Sequence, residues 1–322
     1  MKAIVYENYG TPDNFKNIDV SKPSPENDEV LIKIKATAIN AWDWDLLTGK
    51  PLWARTGGLL KPRYKILGAD VAGIVEAIGP TVTNFKIGDE VFGDLSECGW
   101  GGFAEYVCAK QNALILKPKT MCFEQAAALP QAGVMALQAL IEKRKIRCGD
   151  RVLINGAGGG VGTIAIQVAK HFGAHITAVD QANKLNALLE LGADEVLDYQ
   201  QQDFSHDVSP FDLIIDVVAR RSLFAYRRAL NPGGVFVFVG GTPGFVFRFL
   251  SLGIFLSQIS SKKFTILVLK ANKNLDQLVE LCQQDVLNPP IDRLFPLDQT
   301  ADEFEYFQQN RFIGKIVITT GY

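Results

Sequence analysis

The sequence predicts an α/β protein in which a parallel, doubly wound sheet is combined with an all-β, barrel-like unit. Short apolar strands separated by Gly, Pro, Asn and Asp run from residue 2 to about residue 118. From residue 151 to residue 270 strands alternate with helices, which is typical of a parallel sheet. With 322 residues the chain exceeds the usual size of one domain, so two domains are expected.

The segment between these two regions has a helical pattern. Apolar residues recur three and four apart from residue 123 to residue 145. After residue 270, two further helical segments and the strand 314–320 are expected to return the chain to the first unit. The predicted domains are therefore residues 1–121 together with 271–322, and residues 122–270.

A glycine cluster lies between a strand and a helix that is expected to begin at Thr163. Residues 151–162 read RVLINGAGGGVG, an apolar strand that ends in a G-x-G-x-x-G pattern with Ala in its first place. Such glycines let the backbone turn sharply and approach a pyrophosphate, and the helix N-terminus offers N–H groups to the phosphates. The sequence therefore predicts a dinucleotide site at Ala157, Gly159, Gly160, Val161 and Gly162.

Three further residues extend this site. Asp180 ends the next strand, HITAVD, where an acidic residue hydrogen-bonds the adenosine ribose and repels a 2′-phosphate, which favours NAD(H). Gly240 and Gly241 close the fifth strand of the sheet. They are expected either to let the backbone approach the nicotinamide or to form a simple turn at the strand end.

The composition is that of an ordinary globular protein. Hydrophobic residues make up 48% and charged residues 21% of the chain, and its formal net charge of −2 points to neither nucleic acid nor an anionic membrane as a partner. The N-terminal residues lack the pattern of a secretory signal, so a cytoplasmic location is expected. The five cysteines are scattered without C-x-x-C spacing, which gives no indication of a metal site.

Residues 245–259, FVFRFLSLGIFLSQI, form an unusually apolar stretch. The stretch is shorter than the ~20 residues needed to cross a bilayer, and Arg248 interrupts it. In order of preference, Phe245 to Ile259 is a helix packed in the fold or in a dimer interface, a wall for an apolar substrate, or an anchor at a membrane surface.

Several short motifs follow one another along nearly the whole chain. They are Asn40-x-x-Asp43, Gly68-Ala-Asp70-x-x-Gly73, Gly88-Asp89-x-Val91, AAALPQAG, GAGGGVG, LGADEVLDY and Gly314-Lys315. In this order they resemble the medium-chain dehydrogenase/reductase superfamily, and specifically its zinc-free branch of quinone oxidoreductase-like proteins. The resemblance implies a GroES-like catalytic domain, a Rossmann dinucleotide-binding domain, an active site in the cleft between them, and a homodimer.

The chain departs from the zinc alcohol dehydrogenases at two positions. By this resemblance, Asn40 stands where those enzymes have a Cys ligand, and Ala69 stands where they have a His ligand. Because an amide and a methyl group cannot replace a thiolate and an imidazole around Zn²⁺, no metal is expected. Without zinc to stabilise an alkoxide, reduction of a quinone or an α,β-unsaturated carbonyl by NAD(P)H fits better than alcohol oxidation.

The resemblance also suggests roles for individual residues. The neutral amide of Asn40 can donate a hydrogen bond to a substrate carbonyl, although Asn40 can equally be a loop amide that holds backbone. Asp43 is assigned to orienting Asn40 or a water molecule. Lys184 lies where the quinone reductases place a lysine near the 2′-phosphate, so it favours NADP(H) unless it is only a solvated lysine. The family default favours NADPH, and Asp180 keeps NADH open.

The leading hypothesis is therefore an NAD(P)H-dependent oxidoreductase with a small-molecule quinone or enone as its substrate. One alternative is an alcohol dehydrogenase of the same superfamily. The other is a dinucleotide-binding protein that has a structural or regulatory role and little turnover.

Overall fold

The computed structural model describes residues 1–55, 58–206, 210–258 and 260–321, and the chain divides into two compact units. The first unit comprises Met1–Val134, Lys270–Gln283 and Ile291–Tyr322, and the second comprises Met135–Leu269 and Gln284–Pro290.

Strands and helices are numbered separately in chain order. The strands are β1 (Lys2–Val5), β2 (Lys16–Asp19), β3 (Glu29–Ala38), β4 (Asp70–Ile78), β5 (Glu90–Asp94), β6 (Tyr106–Lys110), β7 (Ile115–Leu116), β8 (Arg151–Asn155), β9 (His175–Asp180), β10 (Glu195–Asp198), β11 (Phe211–Asp216), β12 (Leu230–Phe238), β13 (Lys263–Ile266), β14 (Ile291–Pro296) and β15 (Lys315–Thr319). The helices are α1 (Ala41–Thr48), α2 (Phe123–Ala128), α3 (Pro130–Leu137), α4 (Gly160–His171), α5 (Leu185–Glu190), α6 (Leu223–Ala229), α7 (Pro243–Arg248), α8 (Ile254–Gln258), α9 (Leu275–Gln283) and α10 (Thr300–Gln308). Two π-helical turns, Gln138–Glu142 and Phe249–Gly253, follow α3 and α7.

The first unit is built on a mainly antiparallel sheet. Within the described residues its strand order is β14-β15-β3-β4-β5-β7, and β6 also pairs with β3. Val30, Ile32 and Ile34 of β3 alternate along the strand and pack with Val71 and Val75 of β4 in one core. Because β15 pairs with the C-terminal end of β3, the last strand of the chain reaches the loop that follows β3.

The second unit contains a parallel sheet. In the described part of the chain its strand order is β10-β9-β8-β11-β12-β13, which is the doubly wound order that the sequence predicts. Val152, Leu153 and Ile154 are all fully buried, as expected for a central strand that is covered on both faces. The order reverses between β8 and β11, so the crevice at the carboxyl ends of these strands is the expected position of a ligand.

The apolar segment that begins at Phe245 covers one face of this sheet. Phe245 and Phe249 pack against Phe236 of β12, with ring centroids 6.2 and 6.1 Å away. Ile259, the last residue of the predicted stretch, lies outside the described residues. Within the residues that the structure describes, no helix is both long enough and apolar enough to span a membrane.

Candidate active site

Asn40 lies between β3 and α1, where it caps the helix. Its amide nitrogen is 3.0 Å from Asp70 Oδ2, and its amide oxygen is 2.6 Å from Lys315 Nζ. An ammonium group can only donate hydrogen bonds, so the oxygen of the amide must face Lys315. Asp70 accepts one of the two amide hydrogens.

Asp43 binds backbone groups with both of its carboxylate oxygens. Oδ2 accepts from the N–H of Asn40 at 2.8 Å, and Oδ1 accepts from the N–H of Gly68 at 2.9 Å. The side chain is fully buried, and burial raises the pKa of Asp43 to about 7. Asp43 therefore fixes the backbone of Asn40 against the loop that contains Gly68.

Asp70 and Lys315 form a buried ion pair beside Asn40. Lys315 Nζ is 3.2 Å from Asp70 Oδ2 and also donates to the carbonyl oxygen of Ile39 at 3.0 Å. The second oxygen of Asp70 accepts from the N–H of Gln131 at 3.0 Å. Burial raises the pKa of Asp70 to about 6, although the charge of Lys315 opposes this shift. Lys315 thus holds both the amide and the carboxylate of the site.

The sequence marks Lys315 only as a family landmark and predicts no role for it. The residue opens β15, whose next residues, Ile316 to Ile318, are almost completely buried. A lysine at the start of a buried strand was the available signal, because a buried ammonium needs an acidic or polar partner.

Glu303 on α10 adds a further buried carboxyl group. Its side chain is inaccessible to solvent, and neither oxygen has a hydrogen-bond partner among the described residues. Burial raises the pKa of Glu303 well above its usual value; the charge of Asp43 raises it further, and that of Lys315 opposes the shift. The surroundings of Glu303 therefore disfavour its charged form.

The glycine motif forms the turn between β8 and α4. Gly156 has a φ of +81°, so the turn begins one residue before the predicted pattern. The helix begins at Gly160, three residues before the predicted start at Thr163. A Cβ atom at Gly162 would lie 2.5 Å from the Cα of Ala157, so only glycine lets the first helical turn pack on this backbone.

The N-terminus of α4 presents several backbone donors. The backbone N–H of Thr163 donates to the carbonyl oxygen of Gly159 at 3.0 Å. The N–H groups of Gly160, Val161 and Gly162 precede this bond, at the positive end of the helix dipole. This arrangement suits the phosphates of a dinucleotide.

Asp180 and Lys184, which have opposite implications for the cofactor, form a buried ion pair. Lys184 Nζ lies 3.8 Å from Asp180 Oδ1, and 1% and 7% of the two side chains are exposed. The other oxygen of Asp180 accepts from the N–H of Gly158 at 2.7 Å, which ties the pair to the glycine turn. The charge of Lys184 therefore offsets that of Asp180.

A polar cluster at the ends of β8 and β11 was not predicted from the sequence. Asn155 donates to both oxygens of Asp216 at 2.9 and 3.0 Å, and the hydroxyl of Tyr226 donates to Asp216 at 2.7 Å. Burial raises the pKa of Asp216 to about 6. The cluster stands where the strand order reverses, and the signal was a polar residue at the carboxyl end of each apolar strand.

Gly240 and Gly241 follow β12 and contact the loop after β11. The N–H of Ala219 donates to the carbonyl oxygen of Gly240 at 2.8 Å, and Ala219 and Gly241 form an isolated bridge. Their contact with a nicotinamide stays a prediction.

The predicted site residues thus form two groups. Asn40 and Asp43 lie together in the first unit. The predicted cofactor residues all lie in the second unit.

Comparison with known proteins identifies the family. Residues 26–119 match the model of the alcohol dehydrogenase GroES-like domain, and residues 191–318 match that of the zinc-binding dehydrogenase. The chain is 35% identical to a 2-methylene-furan-3-one reductase of Solanum lycopersicum over 331 residues, which cover 99% of this chain and 79% of that protein. The chain belongs to the medium-chain dehydrogenase/reductase superfamily.

Two further likenesses place it in the quinone oxidoreductase-like branch. An NADPH-dependent alkenal/one oxidoreductase of Arabidopsis thaliana, named as chloroplastic, is 32% identical over 99% of this chain and 79% of that protein. The quinone oxidoreductase structure from Coxiella burnetii has a TM-score of 0.89 and 31% identity, and the match covers 99% of both chains. The predicted family and fold class are thereby confirmed, including the GroES-like domain.

We expect Glu303→Gln to stabilise this medium-chain dehydrogenase/reductase increasingly as the pH rises. A carboxyl group whose pKa is raised in the folded state contributes most below its unfolded pKa, and this contribution is lost as the pH rises through the folded pKa. The amide does not titrate, so thermal unfolding of the variant and the native protein should differ more at about pH 8 than at about pH 5. Glu305→Gln, at an exposed position on the same helix, is the control. A difference that does not vary with pH would contradict the assignment.

Proposed function

We propose that this protein is an NAD(P)H-dependent reductase that transfers a hydride to quinones or α,β-unsaturated carbonyl compounds. The observation that carries the proposal is the fixed, neutral amide of Asn40, which the resemblance equates with a ligand position of the zinc enzymes. The relatives named as furanone, alkenal/one and quinone reductases support this reaction class.

The second unit provides a site that suits a dinucleotide. The N–H groups of Gly160 to Gly162 suit the pyrophosphate, while Asp180 and Lys184 suit the adenosine ribose and its 2′ substituent. When bound, the cofactor would supply the hydride. We infer that NADP(H) is preferred, because the Asp180–Lys184 pair does not present an uncompensated negative charge to a 2′-phosphate.

The first unit would supply the group that stabilises charge on the substrate oxygen. Hydride addition to a quinone or an enone places negative charge on the carbonyl oxygen, and the remaining N–H of Asn40 can donate to it. The ammonium of Lys315 draws electron density from the amide oxygen, which makes the amide N–H a stronger donor. Lys315 and Asp70 are thus positioning residues for Asn40.

The donor set does not suit zinc. Ala69 offers no ligand atom, and the oxygen of Asn40 already accepts from the ammonium of Lys315, so a cation at this oxygen would meet a like charge. We therefore propose a zinc-independent reaction, which disfavours the alternative of an alcohol dehydrogenase.

Protonation of the product falls to solvent in this proposal. Both oxygens of Asp43 are occupied by backbone N–H groups, so this carboxyl group is not arranged to deliver a proton. A cytoplasmic location and a homodimer stay predictions.

The proposal is tested by following nucleotide oxidation by the purified, chelator-treated protein. We expect turnover with an ortho-quinone or an enone, faster with NADPH than with NADH, and unchanged by added zinc. Nucleotide binding without acceptor-dependent oxidation would reject the reductase and favour a structural or regulatory role.

Asn40→Ala should lower kcat about 100-fold, the usual effect of removing one oxyanion donor, and leave the Kd of NADPH nearly unchanged. Steady-state kinetics and nucleotide titration measure the two quantities. Asn84→Ala, at an exposed position of the same unit, should retain native kinetics. An unchanged kcat for Asn40→Ala would remove Asn40 from the catalytic machinery.

Lys184→Met should lower kcat/KM for NADPH about tenfold more than for NADH, because Asp180 would then present an uncompensated negative charge to the 2′-phosphate. A general disturbance of the glycine turn would lower kcat/KM for NADPH and for NADH alike, so it would not change the ratio of the two values. Lys184→Met combined with Asp180→Asn removes both charges, leaves no uncompensated negative charge, and should restore most of the native NADPH/NADH ratio. A native NADPH/NADH ratio in Lys184→Met would assign the lysine a purely structural role.

A further inference from the structure

The second unit contains a long stretch without acidic residues. Residues 217–269 include no Asp or Glu and seven Arg or Lys, although the whole chain has a net charge of −2. The overall charge therefore conceals a strongly cationic region. Such a local excess of positive charge, unlike the net charge, is what determines attraction to an anionic surface.

The helical segment in this stretch has two different sides. Phe245, Phe249 and Leu256 are buried in the core of the unit. Phe247 is 76%, Leu250 56% and Phe255 52% exposed. Phe247 and Leu250 are three residues apart, as neighbours on a helix surface are.

The π-helical turn places Phe255 on the same side of the segment as Phe247 and Leu250. In a π-helix each hydrogen bond spans five residues rather than four, so one turn separates Leu250 from Phe255. Phe247, Leu250 and Phe255 therefore form one apolar ridge on the side away from the sheet.

A second helix displays an aromatic residue on the same face of the sheet. Tyr226 of α6 packs against both Phe236 and Phe245, with ring centroids 4.2 and 5.8 Å away. Because α6 and α7 cover one face of the sheet through these contacts, their outer sides point the same way. Phe224, on the outer side of α6, is 56% exposed.

A cationic pocket lies beside Phe224. It has a volume of about 430 Å³, is open to solvent, and is lined by Phe224, Arg227, Arg228, Ser260, Ser261 and Lys262. Within the described residues, no acidic side chain forms an ion pair with the three basic ones. Burial and the charge of Arg227 lower the pKa of Lys262. An anion in the pocket would offset the repulsion between these two cations.

We propose that this surface, formed by Phe224, Phe247, Leu250, Phe255 and the basic pocket, docks on an anionic lipid bilayer. The apolar ridge would enter the boundary between headgroups and acyl chains, and the pocket would take a phosphate headgroup. Exposed aromatic or aliphatic side chains and cations without an ion-pair partner among the described residues, the two ingredients of interfacial binding, are thus present together. A second copy fits less well, because a two-fold contact through this surface would bring like charges together.

Sedimentation with lipid vesicles tests the proposal on the full-length protein. We expect binding to phosphatidylcholine vesicles that contain phosphatidylglycerol, little binding to phosphatidylcholine alone, and weakening by salt. Arg227→Gln with Lys262→Gln, both in the basic pocket, should lower the partition coefficient about 25-fold, at roughly fivefold for each removed cation. Phe247→Asp with Phe255→Asp should abolish binding.

Matched changes in the first unit separate this surface from a general effect of charge. Lys16→Gln with Lys119→Gln, and Leu60→Asp with Ile87→Asp, alter exposed residues by the same chemistry and should leave binding within about twofold of native. Circular dichroism and thermal unfolding confirm that each variant is folded.

Three outcomes would overturn the proposal. They are equal binding to both vesicle types, native binding by the surface variants, and absence of binding to the anionic vesicles. Analytical ultracentrifugation adds a fourth: a dimer that Phe247→Asp with Phe255→Asp dissociates would assign the surface to a second copy instead.

Discussion

Lys315 places one cation close to three buried carboxyl groups of the first unit, those of Asp43, Asp70 and Glu303. Only Asp70 is in direct contact with it, and the same ammonium also holds the oxygen of Asn40. Loss of one partner from a buried ion pair typically costs about 3–5 kcal/mol, because the other charge is left without compensation. The arrangement of the site therefore depends on the pairing of β15 with β3, which brings residue 315 to residue 40.

The same contact determines what Asn40 can do. An amide held by a cation at its oxygen and by a carboxylate at its nitrogen has one orientation, so it can be a preorganised donor rather than a mobile loop side chain. A single neutral donor is weaker than a zinc ion as a stabiliser of negative charge. It suits acceptors that are already electrophilic, such as quinones and enones, better than alcohols.

The sequence predicts those parts of the structure that local patterns encode. Apolar strands that alternate with helices and end in glycines predict the parallel sheet and the turn before α4, because each feature lies within a few residues. The Lys315 contacts join residues more than 240 positions apart, which no periodicity records. Glu303 is missed because a glutamate on a short helix is expected to face solvent. The sequence does not predict that α4 begins at Gly160, because glycine has a low helix propensity. In this turn the close packing of Gly162 on Ala157 outweighs that propensity.

The exposed ridge of the second unit is a consequence of its buried side. Phe245 and Phe249 are held by Phe236, so the rotation of the segment about its axis is fixed and Phe247 must point away from the sheet. Polar residues at the exposed positions would leave these core contacts intact. Contiguous apolar side chains on such a surface are typical of an interaction site, and the cations around the neighbouring pocket restrict the partners to anionic ones. The fold thus accounts for the position of the ridge, and the proposed contact with lipid would account for its apolar character.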